Sequence, residues 1–470
     1  MTPDGLRQAV EKMQHRGVGE RAVAVFEDYW RQLADGAEGV IAEADIEPLT
    51  DVPELGEIEV TDAQRREALR QVAVVKLNGG LGTSMGMSGP KSALVARGEH
   101  TFLDVIARQL LALGERYGAR PPLVLMDSFR TQDESLAILE RYPALAEQDL
   151  DLDFLQSAEP KLDARDLTPV SWPDDPDLEW CPPGHGDVYV ALASSGLLDR
   201  MRETGIRYAF ISNADNLGAT CDPDIAAWML QEGLPFVAEV TERTANDRKG
   251  GHLAVRRHDG RMVLRDKAQV AAEDEDAFQD TARHGWFNTN SLWVGLEELA
   301  ALLDGDDGRA GLGLPIIVNR KPVDPTRTDS TPVVQIESAM GTAVEAFEGS
   351  QAIRVPRSRF RPVKTTNELL LLRSDVFELG DDFVVRSTTG RTDPTIRLDD
   401  HYALVADFDA RFPAGPPSLR GCTSLTVEGD VTFGGDVVCV GDVTVTAPEG
   451  SAGVIPDGAR LEGTVAAEPA

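Results

Sequence analysis

Val74-Val-Lys-Leu-Asn-Gly-Gly-Leu-Gly-Thr-Ser-Met-Gly-Met-Ser-Gly-Pro-Lys91 carries the densest chemical signal in the chain. An apolar run leads into a loop with glycines at 79, 80, 82, 86 and 89, followed by Pro90 and Lys91. Glycine lets the backbone approach a ligand closely and aim successive N–H groups at phosphate oxygens. Lys91 adds a mobile cation. The apolar run reads as a strand leading in, and the residues after Lys91 as a helix leading out. Three readings compete for this pattern. A Walker loop needs Gly-Lys adjacent, and Pro90 separates them. A dinucleotide fingerprint wants an acid about twenty positions on, at a strand end; Asp104 lies near there but follows Thr101-Phe102-Leu103 and reads better as a helix-terminal acid. The third reading is a nucleotidyltransferase loop that embraces a triphosphate.

Other groups add to the chemistry. Asp215 follows the apolar run Tyr208–Ser212, and ligands of open α/β sheets collect beyond the carboxyl ends of strands. Magnesium takes one or two carboxylates plus substrate phosphates and water, so Asp215 alone is a sufficient protein ligand. Its other reading is a turn former in Asn213-Ala-Asp-Asn216. His185 sits in Pro-Pro-Gly-His-Gly, as a binding residue or a hydrogen-bonded structural histidine. Arg354, Arg357, Arg359, Arg361 and Lys364 gather cations in a protein of net charge −33. A phosphate site accounts for that concentration; a solvated stripe, or arginines paired with carboxylates, are the alternatives.

The ordered blocks resemble the eukaryotic-type UTP–glucose-1-phosphate uridylyltransferases, from about Val72 to Leu372. Leu77-Asn-Gly-Gly-Leu-Gly-Thr-Ser-Met-Gly86 and Gly89-Pro-Lys91 are similar to that family's signature. Leu125-Met-Asp-Ser-Phe129 resembles L-M-N-S-F, with Asp127 in place of asparagine. Trp180-Cys-Pro-Pro-Gly-His-Gly-Asp-Val-Tyr189 resembles W-Y-P-P-G-H-G-D-V-Y, with Cys181 in place of tyrosine. Ser212-Asn-Ala-Asp-Asn-Leu-Gly-Ala219, Lys249-Gly-Gly251, Phe287-Asn-Thr-Asn290 and Val355–Thr366 come next in order, with Ser291 replacing a second asparagine.

The resemblance implies transfer of the uridylyl group of UTP to glucose 1-phosphate, with Mg2+ and without a covalent intermediate. It implies that Leu77, Asn78, Gly79, Gly80, Lys91, Gln156, Gly184, Asp215 and Lys364 bind UTP, with Gln156 facing uracil. Gly79, Gly80, His185, Asn213, Gly250 and Asn290 would hold the sugar phosphate. Lys364 and Lys91 are the expected catalytic cations and Asp215 the metal ligand. The runner-up is the same chemistry on galactose or N-acetylglucosamine 1-phosphate. A catalytically silent sugar-nucleotide binder would have lost Lys91, Asp215 or Lys364, and all three are present. A dehydrogenase ranks third.

These groups need a scaffold. The chain's 470 residues, 42% hydrophobic and 27% charged, suffice for two or three packed units. Apolar runs at 72–77, 123–126, 208–212, 236–240, 292–294, 316–318 and 333–336 alternate with helical stretches such as 102–117 and 224–231. That pattern reads as an α/β sheet with mostly parallel strands. The resemblance makes it a Rossmann-like nucleotidyltransferase (GT-A-like) mixed sheet with helices on both faces, over residues 61–377. Residues 1–60 read as a helical segment, with Leu6, Val10, Met13 and then Val23, Phe26, Trp30, Leu33 at helical spacing, and a connecting arm over 46–58. Over 378–470, Gly-Asp-Val recurs at 429, 435 and 441, a six-residue period that suggests a hexapeptide β-helix and a surface for a homo-oligomer; plain hairpins are the alternative.

The acidic balance argues against nucleic acid as a partner. No run approaches the ~20 apolar residues that span a bilayer, and the first sixteen residues carry no secretory pattern, so the cytoplasm is the expected location. Four scattered cysteines, Cys181, Cys221, Cys422 and Cys439, predict neither disulfides nor a zinc site.

Overall fold

A computed structural model describes residues 3–36, 39–244, 247–305 and 310–470. The centre is a ten-stranded sheet whose main path runs Ile46–Pro48, His252–Arg256, Trp286–Gly295, Tyr208–Asn213, Val72–Leu77, Leu123–Asp127, Asp153–Leu155. Tyr208–Asn213, Val72–Leu77, Leu123–Asp127 and Asp153–Leu155 are mutually parallel. Trp286–Gly295 runs antiparallel to both Tyr208–Asn213 and Phe236–Glu242. The sheet is therefore mixed, not mostly parallel as the apolar runs alone suggest. Apolar content reports burial on two faces and is silent about direction.

Strand alternation divides two cores. Val72, Val74, Leu123, Leu125 and Phe210 point to one face, where Phe102–Tyr117, Pro223–Glu232 and Thr366–Arg373 pack. Ala73, Val75, Val124, Met126 and Ile211 point to the other, under Val188–Ser194, Leu197–Glu203 and Leu296–Leu303. Helices thus cover both faces, which is why these strands read as unbroken apolar runs.

Several expectations change. The runs at 316–318 and 333–336 form Ile316–Pro322 and Pro332–Ser338, which join Leu162–Asp163 in a separate three-stranded sheet. The helices Pro3–Arg16 and Glu20–Ala34 pack against that sheet through Met13, Phe26 and Trp30. Within the arm at 46–58, Ile46–Pro48 pairs with His252–Arg256 as an edge strand of the central sheet. After Lys91 comes a single 3₁₀ turn, Lys91–Ala93, instead of a helix. The helix starts at Phe102, where Thr101 and Asp104 form a capping box; Asp104 is the helix-terminal acid expected.

At the C-terminal end, Thr395–Arg397, Ser418–Glu428, Val438–Thr446 and Arg460–Ala466 pair parallel in that order. A second sheet holds Val431–Phe433, Gly453–Ile455 and Glu468–Pro469, the first pair parallel and the second antiparallel. The first two Gly-Asp-Val copies lead into strands and the third lies inside Val438–Thr446. The core of this region, with Leu425, Phe433, Val443 and Ile455, is continuous with the core under Phe102–Tyr117.

Candidate active site

Leu77 and Asn213 are register partners at the carboxyl ends of two adjacent parallel strands. The glycine loop leaves one strand and the Ala214–Ala219 loop leaves the other. The Asn78 N–H donates to the Met126 carbonyl at 2.8 Å, and the Ala214 N–H to the Leu77 carbonyl at 3.1 Å. Both loops are thereby tied to the sheet edge. The Lys91 N–H donates to the Gly80 carbonyl at 3.1 Å and closes the loop on itself. Around Gly80 there is open space.

Closure delivers Lys91 to Asp215, Nζ to Oδ2 at 3.0 Å. Lys364 reaches the same oxygen at 2.8 Å. Asn216, which the sequence marks for no role of its own, joins the two segments. Its Oδ1 accepts from the Arg361 N–H at 2.9 Å and the Gly218 N–H at 3.1 Å, and its Nδ2 donates to the Arg359 carbonyl at 3.1 Å. The Val363 N–H donates to the Asp215 carbonyl at 3.1 Å. Asp215 Oδ1 is buried without a partner. One carboxylate with one uncommitted oxygen fits a magnesium ion that draws its remaining ligands from phosphates and water. Among the described residues no group of three or more His, Cys, Asp or Glu could hold a metal by itself.

Where the base is expected, glycines lie in contact with polar groups. A Cβ at Gly79 would come within 2.5 Å of Gln156 Oε1, so this loop position and the glutamine touch directly. Gln156 is fixed by its N–H to the Asp127 carbonyl at 2.8 Å, and Ser157 by its N–H to the Asp187 carboxylate at 2.6 Å. Burial pushes both the Asp127 and the Asp187 carboxyls up to about 6. Gly184 holds φ +81° with its Cα pressed on the Ser338 backbone. His185 is next, and its Nδ1 accepts the Met340 N–H at 3.0 Å, which assigns the ring proton to Nε2. One side of the ring is open to solvent, while desolvation of its packed edge, aided by the Lys364 charge, lowers this imidazole below its ordinary value. His185 is therefore a neutral hydrogen-bond donor.

Asn290, at φ +60°, sends Nδ2 to Asn213 Oδ1 at 3.4 Å. Gly250 packs on the Phe287 ring of the same strand. Asn213, Asn290 and Gly250 thus belong to the margin of the sheet that also carries Asp215.

The basic segment divides differently from a phosphate stripe. Arg354 pairs with Glu54, and Arg357 with Asp247 through both oxygens at 2.8 Å. Arg359, buried, grips Glu239 at 2.6 and 2.7 Å and the Thr220 carbonyl at 2.8 Å. Arg361 lies over the Phe377 ring at 4.0 Å and 3.9 Å from Asp393. Three of these arginines thus hold the loop through carboxylates, Arg361 keeps Nε and Nη1 buried without a partner, and Lys364 is the member of the segment that turns to Asp215. Glu239, an acid inside an apolar strand, was the available sign of a buried partner; nothing in the sequence marked Met340.

A family model described as UTP–glucose-1-phosphate uridylyltransferase matches residues 23–439. The UTP–glucose-1-phosphate uridylyltransferase of Hordeum vulgare is 38% identical over 475 residues, covering 98% of this chain and 95% of the relative. That of Musa acuminata is 41% identical over 404 residues, with 85% and 83% covered. Among solved structures, a UDP-glucose phosphorylase from Trypanosoma brucei superposes with TM-score 0.90 at 42% identity, covering 99% of this chain and 100% of that one. A mutant UDP-glucose pyrophosphorylase from Leishmania major, in complex with UDP-glucose, gives TM-score 0.91 at 37% identity with both chains fully covered. With a family model spanning most of its length and relatives of this identity and coverage, the chain belongs to the UTP–glucose-1-phosphate uridylyltransferase family, a family of nucleotidyltransferases.

Proposed function

We propose that this chain transfers the uridylyl group of UTP to glucose 1-phosphate, giving UDP-glucose and pyrophosphate, by Mg-assisted in-line displacement at the α-phosphorus. The observation that carries this reading is the convergence of Lys91 and Lys364 on one oxygen of Asp215 at the strand ends. A sugar-phosphate oxygen must approach a triphosphate, so alignment and charge neutralisation dominate the barrier. Lys91 lies against the triphosphate and Lys364 at the α-phosphate, where charge builds. Asp215 Oδ1 would hold Mg2+, which would neutralise phosphate charge when bound. Leu77, Asn78, Gly79, Gly80, Gln156 and Gly184 form the uridine side. His185 Nε2–H donates to the sugar phosphate, and Asn213, Gly250 and Asn290 take the sugar.

The absence of a covalent intermediate has support in His185 itself. Its Nδ1 lone pair is spent on Met340 and its Nε2 carries the proton, so neither nitrogen offers a nucleophile. All four cysteines are buried. We also read the chain as a helical arm over 1–60, a catalytic unit over 61–377 and a β-helix over 378–470, a stacked surface suited to self-association. The parallel rungs Leu425↔Val443 and Val445↔Val465 favour that reading.

Pyrophosphate release from UTP, glucose 1-phosphate and Mg2+ tests the function, beside Lys364→Ala and a panel of sugar 1-phosphates. Turnover with glucose 1-phosphate that collapses in the variant supports it. Preference for another sugar overturns the substrate, and no turnover with any sugar overturns the activity.

A further inference from the structure

Beneath the glycine loop lies a cluster of buried polar side chains, of which the proposed chemistry uses Asn78 and none of the others. Asp127 ends the strand Leu123–Asp127 and is fully buried. Its Oδ1 accepts from Asn78 Nδ2 at 2.7 Å and from Thr131 Oγ1 at 2.9 Å. Asn78 Nδ2 also bonds Ser135 Oγ at 2.7 Å, and Ser135 Oγ donates onward to the Thr131 carbonyl. On the other side, the Asp127 carbonyl accepts the Gln156 N–H at 2.8 Å. One residue therefore touches both walls of the base pocket: the amide that opens the glycine loop and the glutamine opposite Gly79.

The bonding is incomplete in an informative way. Asn78 Oδ1 and Asp127 Oδ2 are both buried without partners. Both are acceptors, and the donors of Asn78, Thr131 and Ser135 are committed elsewhere. The cluster is short of a donor. An asparagine, which the resembling motif has at this position, brings an NH2 group that supplies one. An aspartate supplies one only with a proton on Oδ2.

We propose that Asp127 is a positioning residue of the nucleotide pocket, holding Asn78 through its carboxyl and Gln156 through its carbonyl, and that its protonated form supplies the donor the cluster lacks. The proposal rests on the assignment of this pocket to the uridine nucleotide. Asp153, on the adjacent strand, is the charged group that acts on Asp127, and it pushes in the same direction as burial. Asp133 and Glu134 on the following helix are exposed. Lys76, on the strand beside, is taken up by Ser212 and the Ala219 carbonyl. The proton is thus present in mild acid and leaves as the pH approaches neutrality. Without it, Asp127 Oδ2 and Asn78 Oδ1 are both left buried with no donor, at a cost to the arrangement that holds Asn78 in place.

The experiment measures kcat and KM for UTP at saturating glucose 1-phosphate and Mg2+, from about pH 5.5 to 8, for wild type, Asp127→Asn and Asp127→Ala. UTP binding without sugar is measured by calorimetry, and thermal midpoints check folding. Titration of the substrates themselves cancels in the ratio of wild type to Asp127→Asn. That ratio of UTP KM values is expected to rise about threefold or more across the range, with the kcat ratio flat. Asp127→Ala is expected to raise the UTP KM at every pH. A flat KM ratio, or effects confined to kcat, overturns the proposal. Full turnover by Lys364→Ala overturns the site assignment instead, and the calorimetric arm then judges Asp127 separately.

Discussion

Lys364 donates to Oδ2 of Asp215 at 2.8 Å, across 149 positions of the chain. Lys91 meets the same oxygen from the glycine loop. Two cations against one carboxylate leave a local positive charge in a protein of net charge −33. On the proposed function, arriving phosphates would be better partners for both lysines than the shared oxygen, and displacing the lysines would free Asp215 for a metal.

Lys364→Ala is expected to lower kcat by about 10²–10³, the cost of removing one preorganised donor from a developing anion. The KM for UTP should move much less, because Lys91 and the glycine loop remain. Stability should barely change: Lys364 is 58% exposed, and exposed ion pairs contribute ~0–1 kcal/mol. Steady-state pyrophosphate release and thermal melting check both. A rise in KM with kcat intact would assign Lys364 to ground-state binding.

Asn216→Ala removes two side-chain bonds between the Asp215 loop and the Arg359–Arg361 segment, and a third within the loop to Gly218. Buried groups left unpaired cost about 1–3 kcal/mol each, so a drop of a few degrees in melting temperature is expected. The informative readout is kcat, which should fall although Asn216 is assigned no substrate contact, because Lys364 loses its fixed approach to Asp215. Unchanged kcat in a destabilised variant would show that Val363 and the arginine pairs suffice to hold the lysine.

The sequence exposed the backbone-dominated parts of this site far better than the side-chain pairs. Five glycines after an apolar run mark a loop made for close approach, and the loop lies where the strand ends. Direction and partnership were hidden. The strand Trp286–Gly295 looked like a three-residue run at 292–294 because Asn288-Thr-Asn290, on the same strand, is polar, with Thr289 bonding the Glu239 carbonyl and Asn290 meeting Asn213. Arg359 and Glu239 lie far apart in sequence and meet only when Gln351–Arg354 pairs with Phe236–Glu242. A cluster of positive residues cannot reveal which members are already neutralised. The Asp127 substitution was visible from the start, but its meaning required Asn78, Thr131 and Gln156 in place around it.

Gly184→Ala should be severe. The residue holds φ +81°, which L side chains rarely adopt, and a Cβ would lie 2.5 Å from the Ser338 carbonyl. The strand end carrying Ser338 would have to shift, and Met340, which holds His185, is close behind it. Loss of activity is expected together with a lower melting temperature, and UTP affinity should fall in calorimetry. A variant that melts like wild type and binds UTP normally would remove Gly184 from the base pocket.

His185 gives a pH signature with a definite sign. Desolvation of its packed edge first, and then the Lys364 charge, lower its pKa from 6.5 in the unfolded chain towards about 4, a shift that the solvent on its open side reduces. Between those values the unfolded chain binds a proton that the fold excludes, so this histidine's contribution is complete above pH 6.5 and is lost as the pH falls towards 4. Asp127 and Asp187, raised to about 6, act in the opposite sense, favouring the fold as the pH falls from 6 towards 3.8. They are common to wild type and to His185→Asn, in which the amide oxygen can still accept the Met340 N–H. Urea unfolding of the two proteins from pH 7 down to 4 therefore isolates the histidine: wild type should lose stability relative to the variant over that interval. Parallel curves would mean that the ring already takes up its proton in the fold near pH 6.5, and with it would go the neutral Nε2–H donor assigned to the sugar phosphate.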